Sequence, residues 1–94
     1  MTKVIVVHRV ADYDRWLRVF LDHGTARRAA GATGHAVCRD PNDPNSLVIV
    51  NDFETLEGAI AFTKDPSLPA AMVAGGVEPP TTVYVVNESD VATY

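Results

Sequence analysis

The chain has 94 residues, a formal net charge of −4 and a single cysteine, Cys38. A chain of this length builds only a modest core, and no internal disulfide can reinforce it, so association with a second chain is the expected aid to stability. The acidic balance argues against nucleic acid, which calls for a clustered basic surface, and no apolar run is long enough to span a membrane.

Lys3 to Val10 reads as a strand, dense in β-branched residues. Its apolar run, Val4 to Val7, lacks the layout of a signal peptide, which makes the cytoplasm the expected compartment. Asp12 is placed to cap a helix. Tyr13, Trp16, Leu17, Phe20 and Leu21 follow at helical spacing. Arg27 and Arg28 sit near the negative end of its dipole, and Gly31 is the expected stop. Gly34 to Asp40 predicts a second strand. Pro41-Asn42-Asp43-Pro44-Asn45 has turn composition, and Leu47 to Phe53 predicts the third strand, the other arm of a hairpin. Thr55 caps a second helix running to about Lys64. Asp65 to Pro69 interrupts it, and a short helix through Met72 is expected to end at Gly75-Gly76. Thr81 to Val86 predicts the last strand, and residues 87–94 a tail or an arm exchanged with another chain.

This order is that of a single α+β domain over residues 1–94, the ferredoxin-like βαββαβ split, with an antiparallel sheet in the strand order 4-1-3-2 and both helical segments on one face. Val4 to Val7, Leu47 to Val50 and Val83 to Val86 are apolar at both parities, so the face away from the helices also needs cover. A second sheet is the simplest cover, which predicts a homodimer whose sheets pack face to face.

The segment Val10-Ala11-Asp12-Tyr13-Asp14-Arg15-Trp16 and the run Arg27-Arg28-Ala29-Ala30-Gly31-Ala32-Thr33-Gly34-His35 resemble the dimeric α+β barrel superfamily. Within it they resemble small actinobacterial proteins often called cyclases, relatives of the antibiotic biosynthesis monooxygenases and polyketide cyclases. The resemblance extends from Val4 to about Val86 and implies the fold more than the activity, because this architecture hosts many chemistries. Monooxygenase relatives often carry a tryptophan near the start of the second helix and a histidine inside it. Here Phe53 and Phe62-Thr63-Lys64 occupy those regions, and the only tryptophan is Trp16 on the first helix. The Asn, His and Trp set of haem-degrading members is not evident, so no haem is expected.

No phosphate-cradling glycine loop, dinucleotide fingerprint or nucleophile elbow is present. A candidate site comes instead from topology. Pairing Asp40 with Ser46 sets His35 opposite Asn51 on one face of the hairpin, and His23 continues the Trp16 and Phe20 stripe towards the same end. His23, His35 and Asn51 are the expected catalytic group, with Arg27 at the rim and Trp16, Phe20, Phe62 and Tyr84 as apolar walls that bind substrate. The histidines could move a proton at a C–H or phenolic centre, and Asn51 could donate to the developing enolate oxygen. Each has a plainer alternative: His23 a solvated helix end, His35 an edge-strand residue, Asn51 a strand terminus, Trp16 and Phe20 core. His8 lies at the opposite end of the first strand and is left out, and Cys38 reads as an inert buried thiol. A His23, His35 and Asp52 metal site has suitable donors, but Asp52 has the wrong parity, and no metal is expected.

Two functions are in view. One is an enzyme that needs no bound cofactor, of the cyclase or monooxygenase type, acting on an aromatic or polyketide-like small molecule. The other is a non-catalytic dimeric module that binds a small apolar or aromatic ligand or a protein partner.

Overall fold

The computed structural model describes residues 1–94. Its elements run β1 (Thr2–Val10), α1 (Tyr13–Asp22), α2 (Gly24–Ala29), β2 (Ala32–Arg39), β3 (Ser46–Phe53), α3 (Leu56–Thr63), α4 (Ser67–Ala74) and β4 (Val77–Asn87). The four strands form one antiparallel sheet in the order β2-β3-β1-β4, the expected ferredoxin-like order read from its other edge.

Local chemistry sets the element ends. The Asp12 side chain accepts the Arg15 amide at 3.2 Å, and Thr55 Oγ1 accepts the Gly58 amide at 3.0 Å, each satisfying a free donor of a first helical turn. The helix expected to run from Asp12 to Gly31 is divided in two at His23. Gly24 follows the break, glycine being a poor helix former, and the Phe20 carbonyl accepts the Arg27 guanidinium at 2.8 Å. Gly31, at φ +100°, turns the chain from α2 into β2 in a conformation that favours glycine. The last strand starts four residues earlier than expected, because Val77 and Glu78 pair with Val10 and Arg9 across a register shift in β1. Pro79 and Pro80 are tolerated within it because β4 is an edge strand.

The central strand, β1, sorts side chains between two faces. Thr2, Val4, His8 and Val10 are buried under the helices, and their neighbours Leu47, Ile49, Asn51 and Phe53 on β3 join them. Two apolar clusters result. Val4, Phe53, Ala59 and Phe62 lie beneath α3, and Val10, Trp16, Leu47 and Ile49 beneath α1. The opposite face is apolar and open: Val7, Val48, Tyr84 and Val86 are exposed on it, and so is Cys38, which was expected to be buried. The reason is parity. Cys38 pairs with Val48, and Tyr84 with Ile5, all on the strand positions that turn away from the helices. Paired charges bound this face, Lys3 with Asp52 and Glu88 at one end and Arg9 with Asp43 and Glu78 at the other.

One close approach ties α3 to the end of α2. A Cβ on Gly58 would sit 2.2 Å from the Ala30 carbonyl oxygen, and backbone cannot swing aside as a side-chain tip does. Gly58→Ala is expected to lower the unfolding free energy by about 1–3 kcal/mol, read from urea denaturation midpoints at an unchanged m-value.

Candidate functional site

A cavity of about 380 Å³ lies between the helix-facing side of the sheet and the helices, within the usual size of a small-molecule site. β1, β3 and β4 supply its floor, with Val4, Val6 and His8 from the central strand, Ile49 and Asn51 from β3, and Val83 and Val85 from β4. Trp16, Phe20 and His23 of α1 close one wall. Phe62 of α3 and Leu68 and Met72 of α4 close another. The polar groups at the lining are two imidazoles, one guanidinium, one carboxamide and two threonine hydroxyls, and no carboxylate is among them.

Aromatic packing fixes the α1 wall. Trp16 stacks on Phe20 with ring centroids 4.8 Å apart, and His8 meets Trp16 edge-on at 5.9 Å. The Arg27 guanidinium lies 3.7 Å above the Phe20 ring and donates Nη2–H to the Phe20 carbonyl. Arg27 was expected at a rim. It is instead 5% exposed, and it forms no ion pair. Burial, with the nearby Arg28 charge, lowers its pKa to about 10, so it stays cationic at neutral pH. A buried cation is ordinarily matched by an anion. This one has only a carbonyl dipole and an aromatic face.

His23 occupies the joint between α1 and α2 and lines the cavity beside Phe62, at 5.9 Å. Its Nε2 lies 2.8 Å from Ser67 Oγ, and Ser67 Oγ lies 2.7 Å from Asp65 Oδ1. The direction of this chain follows from proton counting. The Asp65 carboxyl is held below its ordinary range by the hydrogen bonds from the Ser67 hydroxyl and amide, so it is ionised and accepts only. Ser67 has one hydroxyl proton and gives it to Asp65. It therefore accepts from His23, whose Nε2 carries the hydrogen, and Nδ1 is left as the lone pair of the neutral ring. Burial and the Arg27 charge push the His23 pKa down against an opposing pull from Asp65, which keeps the ring neutral at pH 7.

Asn51 lies on the floor with its Nδ2 donating to the Val4 carbonyl at 3.2 Å. Its Oδ1 is sealed from solvent without a partner, and so is Nδ1 of His8. These are the only two such side-chain atoms in the chain, and both residues line the cavity. Buried polar groups are nearly always satisfied in native structures, so two orphans at one cavity mark a place where a ligand or water completes the bonding. Val4 pairs with Asn51, and His8 is four residues further along β1, which separates the two by about 13 Å of strand.

The expected constellation is therefore brought together in part. Trp16, Phe20, His23, Arg27, Asn51 and Phe62 all line the cavity. His35 does not. It pairs with Asn51 as expected, but its ring stands edge-on to Phe20 at 4.9 Å and opens into a smaller recess beyond Arg27. Tyr84 does not either. Its pairing with Ile5 puts it on the open face, and its neighbours Val83 and Val85 enter the cavity in its place. His8 was left out on the ground that it lies at the far end of β1. It does lie there, but the cavity runs the length of the sheet and takes in both ends. The signal for it was available in strand parity, since His8 shares the face of Val4, Val6 and Val10. Asp52 faces away from the cavity and pairs with Lys3, so it does not meet His23 and His35.

No family model matches the chain, and no curated protein matches it. Its fold does match solved structures. One is SnoaB, described as a cofactor-independent oxygenase from Streptomyces nogalater, in a single-substitution variant. It is 15% identical, with 96% of this chain and 93% of that chain covered at a TM-score of 0.74. A Caulobacter crescentus protein assigned to the antibiotic biosynthesis monooxygenases is 14% identical, covers 95% and 90% of the two chains and has a TM-score of 0.73. Rv0793 of Mycobacterium tuberculosis is 18% identical, covers 99% and 100%, and has a TM-score of 0.65. Several of the structural neighbours are described as antibiotic biosynthesis monooxygenases, in agreement with the resemblance read in the sequence. At these identities the likeness is one of fold. No helix is long and apolar enough to cross a membrane.

The three histidines share a pH consequence. Burial lowers the pKa of His8, and burial together with Arg27 lowers those of His23 and His35. A histidine with a depressed folded-state pKa takes up its proton more readily when unfolded. Stability is therefore unaffected above the ordinary value of 6.5, falls as pH drops below it, and levels off once the folded-state pKa values are passed. The unfolding midpoint in urea is expected to fall between pH 7 and pH 5. His8→Leu is expected to flatten that slope, and an unchanged slope would mean that the His8 ring is not held neutral by burial.

Proposed function

We propose that this protein is an enzyme acting on an aromatic or polyketide-like small molecule without a bound cofactor, in which His23 moves a proton and Arg27 holds the anion that results. The observation that carries the reading is the His23–Ser67–Asp65 chain of hydrogen bonds. It fixes which ring nitrogen is free to act as a base, and it sits beside a buried guanidinium that has no counter-ion.

The chemistry follows from those two groups. Nδ1 of neutral His23 accepts a proton from an acidic C–H or phenolic O–H. The imidazolium that forms is stabilised through the Ser67 hydroxyl by the Asp65 carboxylate, which stays ionised. The substrate becomes an enolate or phenolate, whose charge the Arg27 guanidinium stabilises in surroundings of low dielectric. For a cyclisation, the carbanion closes onto a carbonyl of the same molecule and the proton returns from His23 to the new alkoxide. With dioxygen as co-substrate, the same carbanion enters oxygenation, the activity in the description of SnoaB. Asn51 has a different part from the one read in the sequence. Its amide is engaged with Val4, and its unmet capacity is that of an acceptor, suited to a substrate hydroxyl. His8 offers a hydrogen-bonding group at the other end of the floor, so a ligand satisfying both is elongated and polar at its two ends.

The working form in this reading is a homodimer in which a second copy covers the open sheet face. The patch is apolar, and the charges at its two ends are already paired within the chain. A twofold-related copy would therefore bury it without stranding a charge. Beyond Glu88, which is tied to Lys3 and to the Met1 carbonyl, the tail, residues 89–94, is free to reach the other copy. Light scattering after gel filtration is expected to give two copies per particle, and Val48→Glu one. A single copy for the parent chain at micromolar concentration would remove the dimer from the reading.

The proton-transfer reading is tested in two steps. Nitrogen-15 chemical shifts of the His23 ring are expected to show the Nε2–H tautomer in the parent chain and a mixture in Ser67→Ala. On any phenolic or polyketide-like compound that the protein converts, His23→Gln is expected to lower kcat by about 100-fold or more. Binding of such compounds with no turnover, in a chain showing the expected tautomer, would assign the cavity to a binding module instead.

A further inference from the structure

The run from Arg27 to His35 closes one helix and opens the next strand, and in doing so it encloses a second recess. This recess, of about 200 Å³, lies between α2 and the start of β2. Arg27, Arg28 and His35 converge on it, and none of the residues around it is acidic. Neither arginine forms an ion pair, although acidic residues outnumber basic ones in the chain by 12 to 8. The two guanidiniums meet over Gly24. A Cβ there would lie 3.1 Å from an Arg28 terminal nitrogen and 3.4 Å from one of Arg27, so the missing side chain is what leaves the recess open.

Three cationic or protonatable groups held together without an anion repel one another. Burial and the Arg28 charge lower the pKa of Arg27, and burial and the Arg27 charge lower that of His35. Arg27 is 5% exposed, so bulk water cannot screen it well. An oxyanion in the recess would relieve the repulsion and accept from the guanidinium N–H groups that the Phe20 carbonyl and the Thr25 hydroxyl leave unengaged. Two guanidinium forks and an imidazole N–H suit the several oxygens of a phosphate group.

We propose that the recess between α2 and β2 is a binding site for a phosphate group, held by Arg27, Arg28 and His35. The phosphate comes either as the free ion or as the anionic end of a larger ligand whose body passes Arg27 into the main cavity. The site does not rest on the proton-transfer reading, because it is read out by phosphate alone with no substrate turned over.

The test follows the His35 ring resonances of the full chain as inorganic phosphate is added at constant ionic strength, with chloride as the control. Saturable shifts with a Kd of about 1 mM and a rise in the His35 pKa are expected. Arg28→Gln, a change at an exposed side chain, is expected to weaken binding about tenfold. Gly24→Ala is expected to weaken it by crowding the guanidiniums. Both variants should keep the parent amide spectrum elsewhere. Phenyl phosphate distinguishes the sources. Tighter binding than inorganic phosphate, with added shifts at Trp16 and Phe62, assigns the anion to a ligand that spans both recesses, and equal binding assigns the free ion. Shifts reproduced by chloride, or a Kd unchanged in Arg28→Gln, would overturn the site.

Discussion

The position of β1 between β3 and β4 is the constraint on which the rest of the molecule depends. Because it is paired on both sides, its alternation fixes the facing of every residue opposite it on two other strands. A slip of one residue would bring Lys3, Ile5, Val7 and Arg9 under the helices and expel Val4, Val6 and His8. The ion pairs at the two ends of the open face lie where such a slip would be most costly. Lys3 and Arg9 reach carboxylates on the neighbouring strands and the hairpin turn, and no carboxylate lines the cavity on the helix side. Exposed pairs of this kind add little stability each, but as register marks they need only make the alternative worse.

With the floor set, Phe20 becomes the pivot of the site. Trp16 stacks on it, His35 meets its edge, and the Arg27 guanidinium lies over it and bonds to its carbonyl. That last bond coincides with the break between α1 and α2, and the break puts His23 at the joint, where it can reach Ser67 of α4. One aromatic side chain thus separates the two recesses, seats the buried cation and marks the place where the helix turns to present a histidine.

Much of this was legible in the sequence, for identifiable reasons. The strand order followed from element order, and the need for cover on the second face followed from apolar residues at both parities. Asn51 and His35 were rightly paired, since a hairpin with a short turn leaves little freedom of register. Cys38 has the opposite strand parity to His35, so the pairing of His35 with Asn51 already placed it on the open face; the error at Tyr84 has another source. In a strand apolar at every position, such as Val83 to Val86, hydrophobicity no longer marks the inward parity, and only pairing with β1 decides it. The helix break at His23 coincides with Gly24, which the sequence shows, and with the Arg27 contact to the Phe20 carbonyl, which spacing does not encode. The Ser67–Asp65 link to His23 joins residues more than forty positions apart, and neither partner belongs to a recognisable motif.

The polar residues on the helix-facing side of the sheet separate structure from function. Thr2 and Asn87 are satisfied there, their side chains bonded to each other at 2.7 Å across the edge of the sheet. His8 and Asn51 each keep a sealed polar atom without a partner. A leucine at either position would fill similar space and leave nothing unmet, and the strands around them show that this chain uses valine, isoleucine and leucine freely on that face. Stability is therefore given up at two positions that both border the same cavity, and given up nowhere else in the chain by this measure. Local departures from the packing rule that gather at one cavity are the pattern of a site whose bonding is completed by something it binds. In the proposed proton-transfer reading that ligand is an apolar body with an acidic proton, whose anion the uncompensated Arg27 guanidinium would receive.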